Sequence, residues 1–178
     1  MTGVVRLAEP RDLALLEAIE NTADSLLVDH VHASAWDPAP TGEARASSPG
    51  FVLVVSQSTG EEAVGFVHVL EVDGHAHLEQ LSVLPGQARR GLGRMLVEAA
   101  KNTANEHGYD RITLRTYADV PWNAPFYSTC GFVESEPQTE FHRRLVEAER
   151  DLGLEKYGRR IQMTAATNPD IAKIRPCP

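Results

Sequence analysis

A glycine-containing turn between a predicted strand and a predicted helix is the segment of this sequence best suited to bind an anion. The turn covers residues 85–91 and leads into Leu92 and Gly93. Amides at the start of a helix have no acceptor in a preceding turn, so they attract negative charge, and glycine lets a phosphate approach the backbone closely. The segment from Gln80 to Val97 carries three arginines and no acidic residue. These features predict a phosphate-binding turn; close helix–strand packing is the alternative explanation for the glycines.

Two well-known phosphate loops do not fit this turn. A P-loop requires Gly-Lys-Ser/Thr, whereas Gly93 is followed by Arg94 and Met95. A dinucleotide-binding fingerprint requires a third glycine, where Leu96 stands, and an acidic residue on the next strand, where residues 111–116 have none. The turn therefore predicts an anionic ligand of a different class.

The elements that must position this turn alternate between strands and helices. We predict an α/β (α+β) fold with a mixed, mostly antiparallel sheet of six to seven strands flanked by helices. The Asp73-Gly74 pair predicts a two-residue hairpin, because type I′ turns need positive φ at both central positions. Predicted strands are Val4–Ala8, Phe51–Ser56, Ala63–Val72, His75–Val83, Arg111–Thr116, one opening at Gly131, and Arg159–Ala165. Predicted helices begin at Pro10 and cover Ser25–His32, Gly91–His107, Pro125–Thr129 and Phe141–Leu152, with a loop over Pro38–Pro49.

Two motifs in the right order resemble those of the GNAT superfamily of N-acyltransferases. Residues 90–96 (RGLGRML), preceded by LSVLP, are similar to the family's acetyl-CoA motif, which is a strand, then Gln/Arg-x-x-Gly-x-Gly/Ala, then a helix. Residues 123–132 resemble the family's Asn-x-x-x-Tyr-x-x-x-Gly-Phe segment. One departure is Ala88, which stands where the family has Gln or Arg, with Gln87 and Arg89 beside it. The resemblance covers about residues 4–164 and implies the GNAT fold.

The resemblance implies acetyl-CoA as cosubstrate, with its pyrophosphate on the backbone of residues 88–94. The backbone of the preceding strand would pair with the pantetheine arm as an added strand, and the Val83 amide would face the thioester oxygen. Asn123 matches the family residue that bonds that arm; a helix N-cap is its alternative role. The implied cofactor-binding residues are Leu81, Val83, Ala88, Arg89, Arg90, Gly91, Leu92, Gly93, Arg94 and Asn123.

Tyr127 and Glu79 are the catalytic residues that the resemblance implies. A phenol is protonated at neutral pH, so Tyr127 could donate a proton to a departing thiolate; packing beside Phe126 is the alternative. Glu79 lies on the strand before the glycine turn, where related enzymes often place a water-linked base; a solvent-facing strand residue is the alternative. The implied activity is N-acetyl transfer to a primary amine, and a silent acyl-CoA sensor on the same fold is the rival. Reserve candidates for the base are Asp29, His30, His32, Glu140 and His142.

Composition limits the class of protein. The chain has 178 residues and a net charge of −8, which argues against nucleic-acid binding, and no apolar run is long enough to cross a membrane. We expect one domain over residues 1–166 and a tail over residues 167–178. Two cysteines predict a reducing, cytoplasmic setting, and the excess of arginine over lysine is typical of a GC-rich bacterial genome. Neither His30/His32 nor His75/His77 has a third ligand at suitable spacing, so we expect no metal. The expected acceptor is a small-molecule or peptide amine. A homodimer is an open alternative to a monomer.

Overall fold

The computed structural model describes residues 3–168 and contains a seven-stranded sheet flanked by helices. The predicted fold class is confirmed. Along the sheet the strands run in the order β1-β2-β3-β4-β5-β7-β6, and the pairs β1–β2, β2–β3, β5–β7 and β6–β7 are antiparallel. The strands are β1 (Val4–Leu7), β2 (Gly50–Ser56), β3 (Gly65–Val72), β4 (His75–Val83), β5 (Arg111–Tyr117), β6 (Val133–Ser135) and β7 (Arg160–Ala166). The helices are α1 (Pro10–Val31), α2 (Gly42–Ala46), α3 (Leu92–Glu106), α4 (Ala124–Thr129) and α5 (Glu140–Asp151), with short 3₁₀ turns at Pro85–Gln87 and Leu154–Tyr157.

The chain forms two compact units. The first unit holds the chain up to Leu70 together with Leu78–Ala100, and the second holds Glu71–His77 together with the chain from Lys101 onward. The core of the first unit packs α1 onto strands β2 and β3. Its buried members are Leu16, Ile19, Val52, Val54, Ala63 and Phe66. In the second unit, the buried residues of β5 and β7 include Ile112, Leu114 and Met163.

The predicted hairpin between β3 and β4 is confirmed. Asp73 and Gly74 have φ values of 52° and 78°, as a type I′ turn requires. This turn also fixes which residues of β4 lie opposite those of β3, because strand pairing propagates from it.

Two predicted elements were wrong. No separate helix spans Ser25–His32, because α1 continues without a break to Val31. The hydroxyls of Thr22 and Ser25 donate to backbone carbonyls one turn earlier, at 2.7 Å each, so these polar residues stay inside the helix. The predicted loop over Pro38–Pro49 contains α2, whose first turn is capped by Thr41.

The C-terminal side of the second unit is anchored as far as Thr167. This residue is only 2% exposed, and its hydroxyl donates to the Tyr109 carbonyl at 2.6 Å. Residues 169–178 of the predicted tail, which include Cys177, lie outside the described residues; Cys130 is buried.

Candidate active site

The turn before α3 has the backbone geometry of an anion site. Arg89 and Gly91 adopt left-handed φ values of 61° and 80°. The helix begins at Leu92, and the Met95 amide donates to the Gly91 carbonyl at 3.0 Å. The amides of Leu92 and Gly93 therefore have no acceptor one turn earlier in the helix. A Cβ placed on Gly91 would meet no atom within 4 Å, so the space beside this turn is open.

Side chains around the turn supply positive charge and one unsatisfied amide group. Ala88, Arg89 and Arg90 are exposed, and Arg90 donates to the Gln57 side chain at 3.4 Å. The side-chain oxygen of Gln87 is buried and has no hydrogen-bond partner among residues 3–168. This amide group therefore has hydrogen-bonding capacity that the described residues do not use.

Strand β4 contains an extra residue before the turn. Counting from the hairpin turn places Val83 opposite Val64, yet it is the Leu84 amide that donates to the Val64 carbonyl, at 2.9 Å. The longer strand therefore has a β-bulge, and a bulge leaves backbone groups of that strand unpaired. The bulged strand carries Leu81 and Val83, both half-buried.

Glu79 is the exposed residue of β4 in the first unit. It acts electrostatically on Glu20 of α1, a buried carboxylate that sequence reasoning missed. The pKa of Glu20 is raised to about 7, chiefly by burial; Asp24 and Glu79 contribute to the rise and Arg45 opposes it. The sequence did hold a signal for Glu20, because it stands four residues after Leu16 and so lies on the same apolar side of α1.

Tyr127 lies in the second unit, on α4. Its side chain is 8% exposed, and burial raises the pKa of its phenol above the usual value. The phenol therefore keeps its proton at neutral and moderately basic pH. Asn123 occupies the N-cap position, where its carbonyl accepts from the Tyr127 amide at 3.0 Å; its side chain makes no capping bond. The side-chain cap considered as the alternative role of Asn123 is thus not formed.

The reserve candidates for the base fall into two groups. Asp29, His30, His32 and Glu140 are exposed. His142 is buried and bonded through its ring to Thr139 at 2.8 Å and to Thr113 at 3.3 Å, and burial lowers its pKa. His142 is thus part of a structural network in the second unit. Within residues 3–168, no group of three or more His, Cys, Asp or Glu side chains is arranged to hold a metal ion, and no helix is both long and apolar enough to span a membrane.

A model of the acetyltransferase (GNAT) family matches residues 15–132. The chain belongs to this family. The match contains the glycine turn, β4 and the Asn123–Phe132 segment, so both sequence motifs lie inside the family domain.

Individual relatives agree with this membership. The chain is 28% identical over 153 residues to a protein named mycothiol acetyltransferase from Clavibacter sepedonicus, covering 80% of this chain but only 50% of that relative. It therefore spans about half the length of this relative. The fold is similar to that of the ribosomal-protein-S18-alanine N-acetyltransferase from Escherichia coli, with a TM-score of 0.63, 21% identity and coverage of 94% and 95% of the two chains. It is also similar to the PaiA N-acetyltransferase from Thermoplasma acidophilum, solved in complex with coenzyme A, with a TM-score of 0.66, 14% identity and coverage of 93% and 99%.

Proposed function

We propose that this GNAT-family protein transfers an acetyl group from acetyl-CoA to a primary amine. The observation that carries the proposal is the open turn with left-handed Arg89 and Gly91 at the start of α3, in a chain of this family. In the reaction, the amine nitrogen attacks the thioester carbonyl directly. An amide bond forms, the carbon–sulfur bond breaks, and free CoA leaves.

The donor site is assigned to residues of both motifs. The amides of residues 88–94 hold the pyrophosphate, with Arg89, Arg90 and Arg94 as flanking cations. The bulged end of β4 offers the backbone of Leu81 and Val83 to the pantetheine arm, and the Val83 amide stabilises the oxyanion. Asn123 bonds the same arm, and this assignment is supported by the absence of a capping hydrogen bond from its side chain.

Three proton transfers must accompany the reaction. An alkylamine has a pKa of about 10.4, so only about one molecule in 10³ is neutral at pH 7, and generating the nucleophile costs about 4–5 kcal/mol. Glu79 accepts that proton through water. Tyr127 donates its proton to the departing thiolate, since its raised pKa keeps the phenol protonated until sulfur becomes negative. The proton that the attacking nitrogen loses as the amide forms then restores the phenol.

The acceptor is a small-molecule or peptide amine. The acidic net charge favours encounter with a cationic substrate. The bacterial relatives support a bacterial enzyme, and we place it in the cytoplasm, with Cys130 as a reduced thiol. A homodimer is the alternative to a monomer.

Free-thiol release from acetyl-CoA tests the proposal against the sensor alternative. The purified protein is incubated with acetyl-CoA and a panel of amines that contains peptides with an N-terminal alanine, amino sugars and diamines. The proposal predicts amine-dependent release of CoA thiol. Tight CoA binding without thiol release for any amine would instead indicate a silent acyl-CoA sensor.

A further inference from the structure

A buried polar block lies between α5 and the strands β5 and β7 of the second unit. Arg115 of β5 lies opposite Gln162 of β7, and Tyr117 lies opposite Arg160. Residues that pair across two strands, or stand two apart along one strand, point to the same face of a sheet. Glu149 of α5 covers this face, because its carboxylate accepts from Nε of Arg115 at 2.8 Å and from the Arg160 guanidinium. These five residues form the α5 block.

The α5 block carries an excess of positive charge in an acidic chain. Two guanidinium groups share one carboxylate, which leaves a charge of +1 in a chain whose net charge is −8. The side chains of Arg115, Glu149 and Arg160 are 8%, 12% and 13% exposed, so these charges are largely removed from water. Burying a charge is costly unless an opposite charge pairs with it. The block is therefore suited to an anionic group.

Two buried polar atoms of the α5 block have no hydrogen-bond partner among residues 3–168. They are Nε of Arg160, which can only donate, and Oε1 of Gln162, which can only accept. Gln162 is 3% exposed, and its Nε2 donates to the Ser135 hydroxyl at 3.3 Å and to the Glu136 carbonyl at 3.1 Å. Because that carbonyl requires a donor, the amide orientation of Gln162 is fixed.

Attachment of α5 to the sheet does not by itself account for these features. A helix that covers a sheet usually presents apolar residues to it, and buried ion pairs can often be replaced by apolar side chains without loss of stability. Nearly all buried polar atoms in folded proteins have a partner. One unused donor and one unused acceptor beside a buried positive charge therefore indicate a place for a ligand that is anionic and carries its own donor.

We propose that the α5 block binds an amino-acid-type ligand, with its carboxylate on Arg160 and Arg115 and its adjacent ammonium group on Oε1 of Gln162. A carboxylate matches the fork of donors on a guanidinium. The neighbouring ammonium supplies the N–H that Gln162 lacks, which a simple carboxylate cannot do. The inference goes beyond the proposed function, because binding at this block requires no acetyl transfer.

Three matched probes test the proposal by calorimetric titration of the full chain. L-Lysine has both groups, 6-aminohexanoate lacks the α-ammonium group, and 1,5-diaminopentane lacks the carboxylate. Lysine should bind about tenfold more tightly than 6-aminohexanoate, since one hydrogen bond from a charged donor is lost. It should bind at least 100-fold more tightly than 1,5-diaminopentane, which loses the bonds to both arginines. In protein with nitrogen-15-labelled arginine, lysine should also shift the Nε–H resonance of Arg160, which is identified by its loss in Arg160→Gln.

Two variants assign the two halves of the ligand. Gln162→Met keeps the length of the side chain and removes the acceptor, so lysine and 6-aminohexanoate should bind equally. Arg160→Gln should remove most of the preference for lysine over 1,5-diaminopentane. Arg159→Gln is the matched control, because Arg159 is exposed and pairs with Glu134 at 2.7 Å, and it should bind lysine like the parent. Urea unfolding of each variant establishes that it is folded.

Equal affinities of the folded parent for lysine and 1,5-diaminopentane would overturn the proposal. An Arg160 Nε–H resonance that lysine does not move would also overturn it, and would mean that water alone serves these atoms. Acetyl-CoA added to the lysine complex distinguishes the two uses of the site. Formation of N-acetyl-lysine would make the bound amino acid the acceptor, whereas binding without acetylation would make it a separate ligand; both results uphold the site, and only the first supports the proposed function.

Discussion

The ring of Tyr127 meets the ring of Phe132 edge-on, with 5.8 Å between the centroids. The ring of Phe126 also contacts the ring of Tyr127, with 5.2 Å between the centroids. These contacts hold the aromatic ring through its carbon atoms, so they do not depend on the hydroxyl. The position of the ring and the chemistry of the phenol can therefore be separated by one substitution.

Tyr127→Phe should preserve the fold and slow the chemical step. If the phenol protonates the leaving thiolate, single-turnover rates should fall by about 10²–10⁴-fold, which is about 3–5 kcal/mol of barrier. The KM for acetyl-CoA should move little, because the hydroxyl acts mainly as charge builds on sulfur. Tyr109→Phe, at a half-buried tyrosine outside both motifs, is the matched control. A single-turnover rate within about threefold of the parent would remove Tyr127 as the general acid.

Gly91→Ala should weaken acetyl-CoA binding by more than its effect on stability explains. Alanine at a φ of 80° costs about 1–2 kcal/mol of backbone strain, and its methyl group would occupy the open space beside the turn. Gly60 has a φ of 86° and equally open surroundings, so Gly60→Ala is a control of matched strain. Calorimetric titration should show weaker binding for Gly91→Ala only. Equal affinities for the two variants would show that the pyrophosphate does not bind at this turn.

Glu79→Gln should change the pH dependence of the rate as well as its size. Without a carboxylate, the amine must lose its proton to solvent, so activity should fall most at neutral pH. Activity should partly recover as the pH approaches the pKa of the amine, where the neutral amine becomes abundant. Rates are measured across this pH range for the parent and the variant. A variant profile parallel to that of the parent would show that Glu79 is not the base and would favour one of the reserve candidates.

Acid should destabilise the protein through its buried neutral histidines. Burial lowers the pKa of His77 to about 3 and that of His68 to about 4, from 6.5. Below pH 6.5 the unfolded chain therefore binds more protons than the folded one, and the free energy of unfolding falls as the pH falls. Each histidine contributes a slope of about 1.4 kcal/mol per pH unit. Glu20 has the opposite sign, because its pKa is raised to about 7 in the folded state, and it offsets about one histidine between pH 4.5 and 6.5.

Urea unfolding at several pH values measures that slope. Below pH 6.5, His77→Gln should reduce the slope of the unfolding free energy against pH by the amount that corresponds to one bound proton. His30→Gln, at an exposed histidine, is the control. A slope that His77→Gln leaves untouched would mean that this histidine is not held neutral by burial.

Local sequence signals predicted much of this fold. The Asp73-Gly74 turn, the strand–turn–helix around Gly91 and the helical turn after Asn123 each depend on residues close in the chain, and each is present. The same reasoning wrongly predicted a new helix at Ser25. Serine is common at helix ends, and the sequence does not show that the Ser25 hydroxyl donates to the Thr22 carbonyl inside α1.

The parts that sequence could not predict depend on distant residues. Arg45 and Glu20 are 25 positions apart, and only packing of α2 against α1 makes them partners. The bulge in β4 is likewise set by which amide reaches Val64, and no residue type in the strand announces it. These long-range features involve the electrostatic environment of the candidate base, Glu79, and the strand that carries Leu81 and Val83. The structure therefore adds most information at the candidate site.

The most direct test of the central claim follows a carbon-13 label in the acetyl group of acetyl-CoA during incubation with the protein and the amine panel. Direct attack of an amine on the thioester predicts that the label appears in an N-acetyl amide, with one free CoA thiol released for each amide formed. Label that stays in the thioester while the protein binds acetyl-CoA, or that appears as free acetate, would contradict an N-acetyltransferase.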